Sequence, residues 1–295
     1  MNGAYSFRRS VSQRRTFRDC GYKYLQHYGQ GWRPRLSRGQ WEFGHAMEYI
    51  ATAVACGWVT DPEEAAWGFA AFWGPGGGFD PTKMEWSARI TYEALAEQGP
   101  PLARAIVPQI QERVLVPEEI GQMIYQESIY HELGSRGDSC PELSIPDLWC
   151  WVRNDMFSEY YPTVLDFKTS DRPYIEQSVE LDEQLTDYQL AEASKGRIAA
   201  QLGLAVMIRG KEPRMQWLLA PRRSEEIVNR FVASARAIDR AIKQEQFWQN
   251  SNACFRMGTC EFVPLCYASA ADQRDQKLQR TGEQNERELF TGWDD

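Results

Sequence analysis

Apolar positions recur at two different periods, and the places where the period changes divide the chain into stretches of distinct character. From about Arg14 to Tyr28, the positions Phe17, Tyr22, Tyr24 and Leu25 predict an amphipathic helix with Cys20 within it, followed by the turn-like GQGWRPR. A second helix is predicted from Ser37 or Gly39 through WEFGHAMEYIATAVA, with His45, Glu48 and Tyr49 on neighbouring turns of one face. Residues 59–84 carry GPGGG between aromatic stretches and read as an irregular insertion; a helix near 85–98 is expected to end at GPP. Between 122 and 170 the runs shorten. QMIYQESIYHEL, LWCWVRNDMF and PTVLDFKTS predict successive strands, with GSRGDSCPELSIP as a polar loop between the first two. Helical spacing returns over EQLTDYQLAEASKGRIAAQLGL, strand-like VMIRG and MQWLLA follow, and Ile227, Phe231, Ala235, Ile238 and Ile242 mark a long helix over about 223–248. Residues 271–295 are polar and read as a loose tail or an isolated helix. No internal repeat is visible. This order predicts an α/β fold with a mixed sheet.

Composition narrows the setting. The chain has 295 residues, enough for a large core, and no apolar run approaches the roughly eighteen residues of a membrane span. The opening MNGAYSFRRSVSQRRTFRDC lacks the apolar segment of a signal peptide, so a cytoplasmic protein with no membrane partner is expected. A net charge of −8 argues at first against a nucleic-acid partner. However, residues 1–38 hold nine Arg and Lys against Asp19 alone, a local +8 that leaves −16 for the remainder. A solvated basic arm and a localised polyanion contact are both consistent with that asymmetry.

The candidate chemistry begins at TVLDFKTS. On a strand, Asp166 and Lys168 project to one face while Leu165 and Phe167 face the other layer. Asp-x-Lys alone means little, since Asp275-Gln276-Lys277 repeats it in the polar tail. Its context adds more. WVRND on the preceding strand places Asp155 where a hairpin could bring it beside Asp166, and two carboxylates suit Mg²⁺ or Mn²⁺. Gln184 and Tyr188 share a helix face downstream, and His45 is one of three histidines.

The ordered set His45, Asp155, Asp166-Phe167-Lys168 and Gln184-x-x-x-Tyr188 resembles the PD-(D/E)XK nucleases of the RecB type. SVSQRRTFRDCGYKYLQHY similarly resembles the opening helix of RecB-like and CRISPR-adaptation nucleases, cysteine included. One departure is Asn154, where the family often has proline before the aspartate. The resemblance implies a restriction-endonuclease-like mixed sheet flanked by helices. It implies a single domain over 1–268, with a mainly helical part at 1–120, a catalytic core at 121–222, a helix and cysteine cluster at 223–268, and a tail at 269–295. It also implies metal-dependent DNA hydrolysis, on ends or single strands, with Mg or Mn held by His45, Asp155 and Asp166. Lys168 would orient or deprotonate water, and Gln184 and Tyr188 would position Lys168 or the strand. Arg14 and Arg18, four residues apart, would contact phosphates. A helicase, recombination or integrase partner is an expectation of the same kind, as are two alternatives: an end-trimming factor acting with an integrase, and a catalytically silent DNA-binding subunit. There is no G-x-x-x-x-G-K-[S/T] for a helicase of its own.

Seven cysteines are an odd number for a disulfide framework. Cys254, Cys260 and Cys266 follow one another with five residues in each gap and need a fourth partner; four thiolates suit tetrahedral Zn²⁺ or an iron–sulfur cluster. The family places one cysteine before the nuclease core and three after it around a 4Fe-4S cluster, and Cys20, Cys254, Cys260 and Cys266 match that layout. The resemblance thus implies an iron–sulfur clasp joining the N- and C-terminal segments, with zinc as the alternative.

Overall fold

The structure is a computed structural model that describes residues 9–74, 77, 79–115, 124, 125, 127–133, 140–255, 259–267 and 274–280. Most of GPGGG, residues 134–139 of the expected polar loop and the tail beyond 280 lie outside the described residues. The chain divides into two compact units, Met1–Ser37, Glu132–Pro141 and Val232–Asp295 in one, Arg38–His131 and Glu142–Phe231 in the other.

In the smaller unit, helix α1 (Val11–Asp19) starts from Ser10, whose hydroxyl accepts the Gln13 N–H at 3.3 Å. The helix stops at Cys20, where the backbone is extended, and a second turn, Gly21–Tyr24, starts there with the Cys20 Sγ accepting the Lys23 N–H at 3.4 Å. The cysteine is thus a break between two helices and not a position within one. Phe17 and Tyr24 bury themselves with Ile242. Trp32–Pro34 pairs antiparallel with Leu278–Arg280, so part of the expected loose tail is built into a ribbon.

The larger unit holds α2 (Gly39–Ala55), α3 (Pro62–Trp73) and α4 (Tyr92–Arg113). Helix α3 lies in the stretch expected to be irregular. Asp61 caps it, Pro62 takes its first turn, and Ala65, Ala66, Phe69 and Trp73 are buried at helical spacing. Helix α4 continues through Gly99-Pro100-Pro101 to Arg113, because Leu102, Ala103, Ile106, Val107 and Ile110 are all buried beyond the prolines. Tertiary packing there outweighs the lost amide hydrogen bonds. Gly99 has its own reason: a Cβ at that position would stand 1.9 Å from the Phe69 ring. The aromatic residues of 59–92 are core. Trp73 stacks on Phe79 at 4.1 Å and on Tyr92 at 5.9 Å, and the Tyr92 hydroxyl donates to the Trp73 carbonyl at 2.8 Å.

The sheet comprises β1 (Val114–Leu115), β2 (Ile124–Tyr125), β3 (Leu148–Asn154), β4 (Glu159–Ser170), β5 (Gln201–Ile208) and β6 (Arg214–Pro221). Its order is β6-β5-β4-β3-β1, with β2 also on β3. Strands β4 and β5 are parallel and the other pairs antiparallel, the mixed arrangement expected. QLGL, which helical spacing assigned to the preceding helix, opens β5; the helix itself, α5, spans Glu183–Ser194. Leu148, Cys150, Val152, Leu165 and Phe167 pack with α2 to α4, whereas Trp149, Val164, Leu202 and Leu204 pack with Leu185 and Tyr188 of α5. Pro141–Ser144, expected as loop, forms a two-stranded ribbon with Ile129–Glu132. Helix α6 spans Glu225–Lys243. Among the described residues no helix is long and apolar enough to cross a membrane.

The Phe69 contact generates a stability prediction. Gly99→Ala should raise helix propensity yet destabilise the protein by about 1–3 kcal/mol through overpacking. Thermal denaturation would read this, and Gly99→Ala combined with Phe69→Leu should recover part of the loss.

Candidate active site

Strands β3 and β4 pair with Leu148 opposite Leu165 and Asn154 opposite Glu159. This register brings Asp147, the residue just before β3, beside Asp166. Asp155 is not brought there. It sits in the turn beyond Asn154, and Asp166 lies seven residues along β4 from Glu159, roughly 20–25 Å at strand rise. The Asp155 side chain is 65% exposed and ion-paired with Arg113 at 2.6 Å, which ties the hairpin to the end of α4. A proline, Pro146, directly precedes Asp147.

Asp147 and Asp166 are buried within hydrogen-bonding reach of each other, and Asp147 Oδ2 accepts the Phe167 N–H at 2.7 Å. Burial raises the Asp147 carboxyl well above its ordinary range, and the charges of Asp166 and of Glu48 on α2 raise it further. Burial likewise raises Asp166, against the opposing pull of Lys168. The Lys168 ammonium is ion-paired with Asp166 Oδ2. Burial alone would lower the lysine, but Asp166 and Asp147 more than offset it and the net shift is upward, so the side chain stays charged. From α5, the Gln184 carbonyl accepts from Lys168 Nζ at 3.5 Å while its amide donates to Asp166 at 3.4 Å and to the Tyr188 hydroxyl. Burial and the nearby Asp166 and Asp147 keep the Tyr188 phenol protonated, well above its usual pKa.

Asp166, Lys168, Gln184 and Tyr188 are therefore brought together, with Asp147 as the second carboxylate. His45 is not joined to them by any described contact. It lies on the open side of α2, 64% exposed and 3.6 Å from Glu42, which raises its pKa. The α2 side chain whose charge bears on Asp147 is Glu48, one turn later. Asp147 and Glu48 are the residues the sequence reading missed. The signal for the first was Pro146-Asp147 directly before an apolar strand; Glu48 had none beyond its spacing from His45.

The Asp147–Asp166 pair suits a hard divalent cation, which takes one or two carboxylates and keeps several waters. Asp166 Oδ2 is buried and, among the described residues, receives no hydrogen bond in good alignment, which leaves a lone pair for such an ion beside its ionic contact with Lys168. No group of three His, Cys, Asp or Glu among the described residues is arranged to hold a metal ion.

The four cysteines belong to the smaller unit. Cys20 and Cys254 are buried, and the Cys260 N–H donates to the Cys254 carbonyl at 2.7 Å. The Cys266 thiol is pushed up to about 11, by burial first and then by Cys260, Cys20 and Cys254, so the other three cysteines lie within electrostatic range of Cys266. The chain ends that carry them are stitched together by the Tyr22 N–H donating to the Trp248 carbonyl at 3.0 Å and by Asn250 donating to the Asp19 carbonyl at 2.8 Å. Arg14 departs from its expected role. It is 2% exposed, on the inward face of α1 with Val11 and Phe17, while Arg15 and Arg18 face outward. A spacing of three, not four, defines the buried stripe of this short helix, so Arg14 and Arg18 do not form one phosphate-binding pair.

No known family profile matches the chain, and no curated protein matches it. Among solved structures, the chain is similar to a candidate exonuclease from Eubacterium rectale, with 12% identity and a TM-score of 0.47 over 90% of this chain and 88% of that one.

The assignment of the second carboxylate is open to direct measurement. In a Mn²⁺ titration followed by electron paramagnetic resonance, Asp147→Asn and Asp166→Asn should each weaken binding by at least about tenfold, the scale on which even outer-shell partners act. Asp155→Asn should leave the affinity unchanged; equal losses at Asp147 and Asp155 would refute the assignment.

Proposed function

We propose that this protein is a metal-dependent nuclease that hydrolyses phosphodiester bonds of DNA, acting at ends or on single strands. The observation that carries the reading is the convergence of Asp147, Asp166, Lys168, Gln184 and Tyr188 at the β3–β4 edge of one sheet face. Hydrolysis needs a nucleophilic water, neutralisation of charge on the phosphoryl oxygens and help for the departing 3′-oxygen. Asp147 and Asp166 would hold Mg²⁺ or Mn²⁺, which when bound supplies Lewis-acid stabilisation and a more acidic water. Glu48 adds negative charge behind the pair.

The chain's own residues perform the remaining tasks. Lys168 stays protonated beside two carboxylates, so it orients water by N–H donation and adds positive charge to the transition state; the same charge makes it a poor base. Gln184 holds Lys168 by its carbonyl and Tyr188 by its amide, which leaves the lysine little freedom to swing away. Tyr188 is a positioning group, since a phenol this firmly protonated is no base at neutral pH.

The four cysteines support a second part of the proposal: Cys20, Cys254, Cys260 and Cys266 hold a structural 4Fe-4S cluster, with Zn²⁺ the alternative the same donors could accept. Ligands drawn from both ends of the chain would close a very long loop and so restrict the unfolded state.

With Mg²⁺ or Mn²⁺, wild-type protein should degrade end-labelled single-stranded DNA, and Asp166→Ala, Asp147→Ala and Lys168→Ala should each lower the rate by about 10²-fold or more. Cleavage that survives all three substitutions would remove the catalytic assignment. Absence of cleavage in wild type, with DNA binding retained, would favour a silent DNA-binding subunit. Purified without oxygen, the protein should be brown and carry about four iron and four sulfide per chain. A colourless product with stoichiometric zinc would decide for the alternative.

A further inference from the structure

Three buried polar side chains of the larger unit lie outside the chemistry assigned above. His131 is in the Ile129–Glu132 strand, Ser144 ends the Pro141–Ser144 strand, and Asp187 is on α5; they are 9%, 2% and 1% exposed. The Ser144 hydroxyl donates to Asp187 Oδ2, and His131 Nε2 lies 2.8 Å from Ser144 Oγ and 3.6 Å from Asp187 Oδ1. A serine has one proton. With that proton given to Asp187, Ser144 Oγ can only accept from the imidazole, so His131 carries its hydrogen on Nε2.

The placement of these residues in the chain gives the network its meaning. Ser144 stands three residues before Asp147, separated from it by Ile145 and Pro146, and proline leaves that link little freedom. Asp187 is flanked on α5 by Gln184, one turn earlier, and by Tyr188, the next residue. The Ser144–Asp187 bond therefore joins the segment that delivers one site carboxylate to the helix that delivers the two groups steering Lys168. Full burial also makes the network a poor candidate for chemistry of its own, because Ser144 is closed to any substrate.

We propose that His131, Ser144 and Asp187 form a positioning bracket that sets the distance between Asp147 and the Gln184–Tyr188 pair. His131 holds the Ser144 hydroxyl in the orientation that faces Asp187. The inference rests on the reading of Asp147 and Asp166 as a divalent-cation site. Loss of the bracket leaves the ligands and the lysine present but lets Asp147 drift, a displacement to which metal affinity and turnover respond and substrate affinity does not.

The test is a Mn²⁺ titration by electron paramagnetic resonance, together with kcat and KM on single-stranded DNA, on the full-length protein and variants confirmed as folded by circular dichroism. Ser144→Ala and His131→Leu should weaken Mn²⁺ roughly fivefold or more, approaching the 10–100-fold typical of outer-shell partners, and lower kcat with KM within about twofold. His131→Gln keeps an N–H donor and should recover at least about half of the lost affinity. Gly99→Ala, which strains the core far along the sequence from these residues, serves as the control for general destabilisation and should leave Mn²⁺ affinity unchanged. Unchanged affinity in Ser144→Ala, or an equal loss in Gly99→Ala, would overturn the bracket. If the bracket variants alter Mn²⁺ binding but wild type cleaves no DNA, the bracket stands and the nuclease reading falls. If wild type cleaves DNA and the variants match it, only the bracket falls; a wild type that binds no Mn²⁺ removes both.

Discussion

A carboxylate on a central strand, 1% exposed and flanked by paired strands on both sides, must be answered by positive charge or take up a proton. Asp166 is answered by Lys168, two residues on and on the same face, and the pleat of β4 makes that adjacency automatic. The pair alone would be an ordinary ion pair. The antiparallel register with β3 turns it into a site by adding a second buried carboxylate, Asp147, on the same edge. Two acids and one base cannot all be charged and satisfied there, and the excess negative charge is what a divalent cation would relieve.

The rest of the larger unit keeps that edge in place. Leu165 and Phe167 alternate with Val164, Asp166 and Lys168, so one strand anchors both apolar layers while presenting the polar groups to α5. The aromatic stack of Trp73, Phe79 and Tyr92 braces the opposite layer, and Gly99 lets α4 close against Phe69. Helix α2, held in that layer, brings Glu48 to bear on Asp147. That layer packs against the face of β4 that carries Leu165 and Phe167, opposite to the face that carries Asp166 and Lys168.

The smaller unit has a different logic. A short apolar cluster, with Phe17, Tyr24 and Ile242 at its centre, is supplemented by buried charge: Arg9 is 1% exposed, paired with Asp239 at 2.6 Å and donating to the Tyr24 hydroxyl at 3.2 Å. Two of the nine positive charges concentrated in the first 38 residues are therefore interior. Arg9 and Arg14 are interior, whereas Arg15 and Arg18 remain outside. Four thiols drawn from the two chain ends lie within the same unit, a donor set that a soft metal or cluster could use to reinforce a modest core.

The sequence by itself determined the elements whose period is strong: the strands around TVLDFKTS, the long helix bearing Ile227 to Ile242, and the one-face placement of Asp166 with Lys168 and of Gln184 with Tyr188. These follow from the 2.0 and 3.6 periods, which are local properties of the backbone. It did not determine which aspartate meets Asp166, because register is a pairing between segments: Asp155 and Asp147 sit at opposite ends of one strand, and only the match of Leu148 to Leu165 chooses between them. The same holds for α3 and for α4 beyond its prolines, whose local signals favour irregular chain and whose buried faces favour helix. Arg14 went inward and His45 outward for a related reason. A helix face is legible from spacing, but what covers it is decided only when the chain has folded, since burial is a relation between residues far apart in sequence.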